Sequence, residues 1–181
     1  MCKPMSKYEV FHLMAGLADK QRVECILIGG FAVNFHKYTR MTTDVDFLIA
    51  KDDFQKIEDA LDKAGYKNHS IHENFAQFKD DQGALMNVDF MFVDRQTMEK
   101  IRKEGHPIKI VGEEFIIPSL RHLIALKLHA LKSSKGRLTT DMVDIINLIE
   151  VNQIDVKSKE FEDMCLKFGT ADIYQKIREA F

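Results

Sequence analysis

The sequence predicts an α+β protein: a core of mixed strands and helices over residues 1–117, then a helical part over residues 118–181 packed on that core. Three observations predict it. Short apolar runs bounded by glycine recur up to Ile117, and the clearest of them alternates apolar and polar residues with the pleat. After Pro118 the spacing becomes helical and stays so. The 181 residues are 45% hydrophobic with 9 Gly and 3 Pro, so a core can be buried and disorder is excluded as the main state.

Each element follows in order. Residues Met5 to Gln21 place Tyr8, Phe11, Ala15 and Ala18 at helical spacing. Glu24 to Ile28 is an apolar run ending at Gly29-Gly30, a buried strand, and Phe31 to His36 turns into a short helix. Val45 to Ala50 is a second strand. Asp52 and Asp53 read as an N-cap for a helix with Phe54, Ile57, Leu61 and Ala64 on one face, stopped by Gly65. Phe75 to Lys79 and Ala84 to Val93 flank Asp80-Asp81-Gln82-Gly83 as a hairpin. Arg95 to Lys103 is a helix ended by Gly105, and Ile108–Val111 with Glu114–Ile117 form a strand pair around Gly112. Ser119 caps an apolar helix to Leu131. Helices follow from Leu138 to Glu150, Ser158 to Phe168 and Ala171 to Ala180.

Charge and cysteine usage narrow the function classes. With 26 basic and 28 acidic side chains the formal charge is −2, so the chain is not a general polyanion binder. Cys2, Cys25 and Cys165 are scattered and odd in number, which argues against a disulfide framework or a cysteine zinc site and for a reducing cytoplasm. No apolar run reaches the roughly 18 residues of a membrane span, and Met1 to Lys20 lacks a signal-peptide core, so no membrane partner is expected.

The chemistry concentrates between Leu27 and Ile49, LIGGFAVNFHKYTRMTTDVDFLI. Asp44 and Asp46 are two residues apart at a strand start, so they share a face, while Val45 and Phe47 take the other. Adjacent carboxylates repel and require a cation, and magnesium is the hard, oxygen-seeking ion commonly shared with phosphates. In Met86-Asn87-Val88-Asp89-Phe90-Met91-Phe92 the apolar residues take one face and Asp89 the other. If the two strands pair, three carboxylates converge, an arrangement able to hold two metals and activate a hydroxyl for in-line attack on phosphate. A lone Asp-x-Asp is otherwise a solvated strand edge. Gly29-Gly30 lacks the third glycine of a dinucleotide fingerprint and the Lys-Ser/Thr of a Walker A loop. It reads as a tight strand-to-helix turn, with backbone N–H groups able to approach a triphosphate.

Gly29-Gly30, Ala32-Val33, Arg40, Thr42, Asp44-x-Asp46 and Asp89 resemble the nucleotidyltransferase superfamily with the DNA polymerase β-like fold. The nearer resemblance is to the small bacterial abortive-infection, toxin-type branch. Lys37 and Thr39 depart from it, standing near positions where many relatives carry Gly and Pro. The resemblance implies a nucleotidyltransferase-like mixed sheet flanked by helices, Mg²⁺ (two ions), a nucleoside triphosphate such as ATP as substrate, and transfer of a nucleotidyl group. On it, Asp44, Asp46 and Asp89 are the catalytic and metal-holding residues. Gly29, Gly30, Arg40, Thr42 and Lys127 contact the nucleotide, the other reading of Arg40 being a pair with a surface acid alone.

Lys127 lies on an apolar helix stripe with Leu123, Ile124, Ala130 and Leu131 as neighbours. It snorkels, meets a phosphate, or pairs with Asp141. Arg137, Asp141 and Asp144 loosely follow a spacing recurrent in the toxin branch. The basic loop Lys132 to Arg137 is a solvated helix end or an acceptor contact. His69-x-x-His72 lacks a third metal ligand and reads as a surface loop, and His122 and His129 flank the Lys127 helix. No serine or cysteine has an arranged base, which removes hydrolase triads. Ile173, Ile177 and Phe181 form a stripe that packs on the core or drives homo-oligomerisation. The acceptor is left open among a tRNA end, a protein hydroxyl, a small molecule and a second nucleotide. The other readings are a catalytically silent nucleotide-binding or toxin–antitoxin partner on the same fold, and a hydrolase using the same metal cluster.

Overall fold

A computed structural model describes residues 7–133 and 138–181. Cys2 and the Ser134 to Arg137 part of the basic loop lie outside the described residues. The described chain forms two compact units, one running to Phe31 and resuming over Met41–Ser119, the other joining Ala32–Arg40 to Leu120–Phe181.

The first unit is built on a seven-stranded mixed sheet of order β3-β4-β5-β2-β1-β7-β6. Its strands are β1 (Ile26–Leu27), β2 (Asp44–Ala50), β3 (Tyr66–Ile71), β4 (Phe75–Asp80), β5 (Asn87–Val93), β6 (His106–Ile110) and β7 (Glu113–Ile117). Helices α1 (Glu9–Gln21), α3 (Phe54–Lys63) and α4 (Arg95–Lys103) accompany it. Helix α2 (Gly29–Phe35) contains the boundary between the units. Strands β2 and β5 run parallel at the centre, with β1 antiparallel to β2 and parallel to β7. Alternation explains the burial. Val45, Phe47 and Ile49 share a face with Val88, Phe90 and Phe92, and all six are buried. Phe47 packs on Phe90 and Phe115, while Phe11 of α1 meets Phe31 and Phe115 edge-on.

Local chemistry sets the element ends. Val111 and Gly112 both have positive φ, the requirement of a two-residue hairpin of the primed type, and they join β6 to β7. Asp94 caps α4 by accepting from the Thr97 N–H at 2.8 Å. Gly65 takes φ +92 just beyond α3.

Several elements differ from the sequence reading. Strand β1 has two residues, because Gly29 turns the chain into α2 two residues earlier than Phe31. Residues Tyr66–Ile71 form an edge strand in place of a loop. Only Tyr66 in that strand is buried, its hydroxyl donating to the Met86 carbonyl at 2.7 Å, so the strand carries no apolar alternation to betray it. Strand β5 begins at Asn87, not Ala84, because the Asp80 carboxylate accepts from the backbone N–H groups of Gln82, Ala84 and Leu85 and holds them in a loop. Asp53 makes no cap hydrogen bond to α3. Its buried carboxylate pairs with Lys56 and Arg95, both at 2.8 Å.

The second unit is helical: α5 (Leu120–Ser133), α6 (Leu138–Asn152), α7 (Lys159–Phe168) and α8 (Ala171–Glu179), with part of α2. Ser158 and Thr170 cap α7 and α8 through the N–H groups of Phe161 and Ile173. Ile173 and Ile177 are buried within this unit, and Phe181 is half exposed. No helix of the described residues is long and apolar enough to cross a membrane.

Candidate active site

The candidate carboxylates lie where strand pairing puts them. Parallel register sets Asp46 of β2 beside Asp89 of β5 and Asp44 beside Asn87. Register partners on neighbouring strands share a face, and Asp44 and Asp46 share it by alternation. All three are half-buried on the face opposite the aromatic one. Antiparallel pairing of β4 with β5 extends the row, setting Gln77 opposite Asp89. Gln77 donates from Nε2 to Asp89 Oδ2 at 2.8 Å. Thr42 donates from Oγ1 toward Asp44 Oδ1 at 3.1 Å and the Asp44 carbonyl at 3.2 Å.

Gly29 closes the row. The Ile28 N–H donates to the Asp46 carbonyl at 2.9 Å, which brings the end of β1 against β2. Gly29 then takes φ +61. A Cβ on Gly29 would lie 1.8 Å from Asp46 Oδ2 and 2.4 Å from Cγ. The Asp46 carboxylate therefore occupies the volume any side chain at position 29 would need, and glycine alone fits there. Gly30 follows, buried in the first turn of α2.

The donor set suits a hard divalent cation: oxygen ligands only, negatively charged, at a strand start. Closure is another matter. Among the described residues no three His, Cys, Asp or Glu side chains are gathered into a group that could hold a metal ion. Register brings Asp46 and Asp89 side by side, whereas Asp44 faces Asn87, and Thr42 and Gln77 engage the outer two carboxylates. The convergence expected from sequence is thus one shared face, without a closed cage.

Within the second unit the structure resolves the surroundings of Lys127. Its ammonium is buried and lies 2.8 Å from Asp141 Oδ1 and 2.6 Å from Asp144 Oδ2. Asp144, wholly buried, is also gripped by Arg40 in a two-pronged pair, Nε to Oδ1 at 2.6 Å and Nη2 to Oδ2 at 2.9 Å. Asp144 thus lies between two cations, Lys127 and Arg40. The sequence reading offered Asp141 as one of three fates for Lys127 and missed Asp144 as the hub. The signal was present, because Asp141 and Asp144 are i and i+3 on one helix and can face one cation. A phosphate would reach Lys127 or Arg40 only in competition with these carboxylates.

The segment before Arg40 is fixed by side chains. Asn34 donates to the Arg40 carbonyl at 3.1 Å and accepts from the Arg40 N–H at 2.9 Å. Asn152 donates to the His36 carbonyl at 3.0 Å. Lys37 takes φ +70, a left-handed conformation that glycine adopts without steric cost. The loop therefore has a glycine-type turn although its residue is lysine.

The cysteines and the two histidines stand apart from the carboxylate row. Burial pushes the Cys25 and Cys165 thiols up to about 12, aided at Cys25 by Asp53 and Glu24, the opposite of the shift that activates a thiol. His69 lies exposed on β3, and His72 is held by Ser70 at 2.7 Å and stacks on Phe75.

Comparison with known proteins places the fold. A family model described as "Uncharacterised nucleotidyltransferase" matches residues 7–179. A search among curated proteins returned no match. Among solved structures, ANT(2'')-Ia in complex with adenylyl-2''-tobramycin is similar with a TM-score of 0.63 at 12% identity, covering 89% of this chain and 95% of that one. An antigenic nucleotidyltransferase-like protein from Paracoccidioides brasiliensis gives 0.56 at 17%, covering 98% and 94%. The lincomycin-bound lincosamide antibiotic adenylyltransferase LnuA gives 0.55 at 18%, covering 82% and 99%. At these identities the structural likeness is one of fold, shared by the mixed sheet described above. The family match covers nearly the whole chain, and the protein accordingly belongs to a nucleotidyltransferase family.

Proposed function

We propose that this nucleotidyltransferase transfers a nucleoside monophosphate from a nucleoside triphosphate to an acceptor hydroxyl, with divalent metal held by Asp44, Asp46 and Asp89. The observation that carries the reading is the polar row of Gly29, Asp46, Asp89 and Gln77, with Asp44 one pleat away, on a sheet whose other face is sealed by aromatic packing.

In the reaction the acceptor oxygen attacks the α-phosphorus, the bond to the bridging oxygen breaks, and pyrophosphate leaves. A bound divalent cation supplies neutralisation of the phosphate charge. Asp44 and Asp46 contribute carboxylate oxygens from one strand, and Asp89 contributes a third from the next. Asp89 also takes the acceptor proton. Thr42 steadies Asp44. Gly29 leaves the Asp46 carboxylate its space, and Gly29 and Gly30 present backbone to the triphosphate. Catalysis rests on positioning and charge rather than on a covalent intermediate.

The acceptor belongs to one of four classes: a small-molecule hydroxyl, as the tobramycin and lincosamide antibiotic neighbours suggest, a tRNA end, a protein hydroxyl or a second nucleotide. The test is transfer of labelled nucleotide to a panel of all four, with Mg²⁺, by wild type and by the Asp44→Asn, Asp46→Asn double variant. The double variant is expected to lose at least about 100-fold in rate. Undiminished transfer by it sinks the mechanism.

A further inference from the structure

We propose that Gln77 is a positioning residue for Asp89, holding its carboxylate ready for the cation while leaving its charge intact. The inference rests on the metal reading of Asp44, Asp46 and Asp89. Register makes Asp46 and Asp89 direct neighbours, and like charges directly opposite on paired strands repel. A carboxylate so placed rotates away unless something holds it. Gln77 is its register partner on the other side, on β4, and donates to Oδ2 at 2.8 Å. A carboxylate only accepts, so the amide nitrogen must be the atom facing it. One oxygen of Asp89 is thereby tied toward β4, the side away from Asp46. The backbone at Gln77 is anchored, because the flanking Ala76 and Phe78 are buried in the aromatic face. Its chemistry also fits the task. Lysine or arginine at this position would neutralise Asp89 and compete with a cation, whereas a neutral amide orients the carboxylate and leaves its full charge.

The experiment is a titration of the whole protein with Mg²⁺ alone, followed by the side-chain amide resonances of Gln77, assigned by their loss in Gln77→Met. Saturable movement of the Gln77 side-chain signal is expected, together with the Asp46 and Asp89 backbone amides, and its loss in Asp89→Asn. Gln77→Met should bind Mg²⁺ several-fold more weakly, with a melting temperature within about 3 °C of wild type. Its kcat for transfer should fall about tenfold while KM for the triphosphate moves less than twofold. A still Gln77 signal beside moving Asp46 and Asp89 amides overturns the inference and leaves the metal reading standing. So does wild-type Mg²⁺ affinity in Gln77→Met. Silence of all three strands toward Mg²⁺ removes the metal reading and the inference with it. Should Gln77→Met fail to fold, the wild-type and Asp89→Asn titrations decide alone, with the Gln77 signal assigned by sequential connectivity.

Discussion

Replacing Gly29 by alanine strikes the candidate site at its tightest point. The added Cβ would stand 1.8 Å from Asp46 Oδ2, whereas ordinary van der Waals contact begins at 3.4 Å. The carboxylate must retreat by about 1.6 Å, or the backbone must open by as much. The substitution also places an L side chain at φ +61, which costs roughly 1–2 kcal/mol. Rotation of the carboxylate cannot relieve the clash alone, because the added atom would also lie 2.7 Å from Asp46 Cβ, so β2 or the Gly29 turn must shift and the stability loss should be about 2–5 kcal/mol. Transfer by the folded fraction should fall as well, since a displacement of about 1 Å in a reacting group can cost on the order of 100-fold in rate. Chemical denaturation reads the first effect, and labelled-nucleotide transfer reads the second. Gly16→Ala is the control. Gly16 lies in α1 with nothing within 4 Å of a built Cβ, so alanine there should stabilise by about 0.5–1 kcal/mol and leave transfer untouched. Wild-type transfer by a folded Gly29→Ala protein would refute the packing of Gly29 on Asp46 as a functional constraint.

Three further perturbations test the charge clusters and the loop. Lys127→Met removes the ammonium from Asp141 and leaves Asp144 with Arg40, and should cost about 3 kcal/mol in denaturation; unchanged stability with lost triphosphate affinity would instead make Lys127 a phosphate contact. Asp53 is buried, which alone would raise its pKa, but hydrogen bonds and charge from Lys56 and Arg95 outweigh burial and hold it below the usual 3.8. Its folded pKa being depressed, its stabilisation is present above 3.8 and disappears as pH falls through the lower folded value. Asp53→Asn should thus lower stability at neutral pH and flatten the acid limb of a stability-versus-pH curve, and an unaltered limb would remove Asp53 from that role. Lys37→Gly relieves the left-handed strain at φ +70 and should stabilise by about 0.5–1 kcal/mol after glycine's own entropic cost; destabilisation would show that the lysine side chain contributes more than the turn loses.

Residues with a strong periodic signal were legible in the sequence. Strand β2, helix α4 and the C-terminal helices follow from alternation or helical spacing within one or two residues, because burial of one face writes itself into the order of side chains. The shared face of Asp44 and Asp46 follows from the same rule. Pairing partners did not. Nothing local in the sequence says that Asp46 lies beside Asp89 instead of Asn87, since register depends on contacts more than 40 residues apart. Strand β3 escaped because an edge strand with an exposed Lys-Asn-His run has no apolar face to show. Asp53 was misread as a cap because its ion pair with Arg95 is made across the fold, where the buried carboxylate takes charged partners in place of the backbone N–H groups of α3. Gln77 carries no signal of its own in the sequence, and only strand pairing places it against Asp89.

The central claim is that the Asp44, Asp46 and Asp89 face receives metal and triphosphate. A crystal of the whole protein soaked with a non-hydrolysable nucleoside triphosphate and Mn²⁺, measured at the manganese absorption edge, addresses it directly. The expected result is anomalous density within coordination distance of carboxylate oxygens of Asp44 and Asp46, with Asp89 turned to the same ion or a second one, and the triphosphate lying along Gly29-Gly30. Manganese and triphosphate ordered together elsewhere, with these three aspartates untouched, would contradict it.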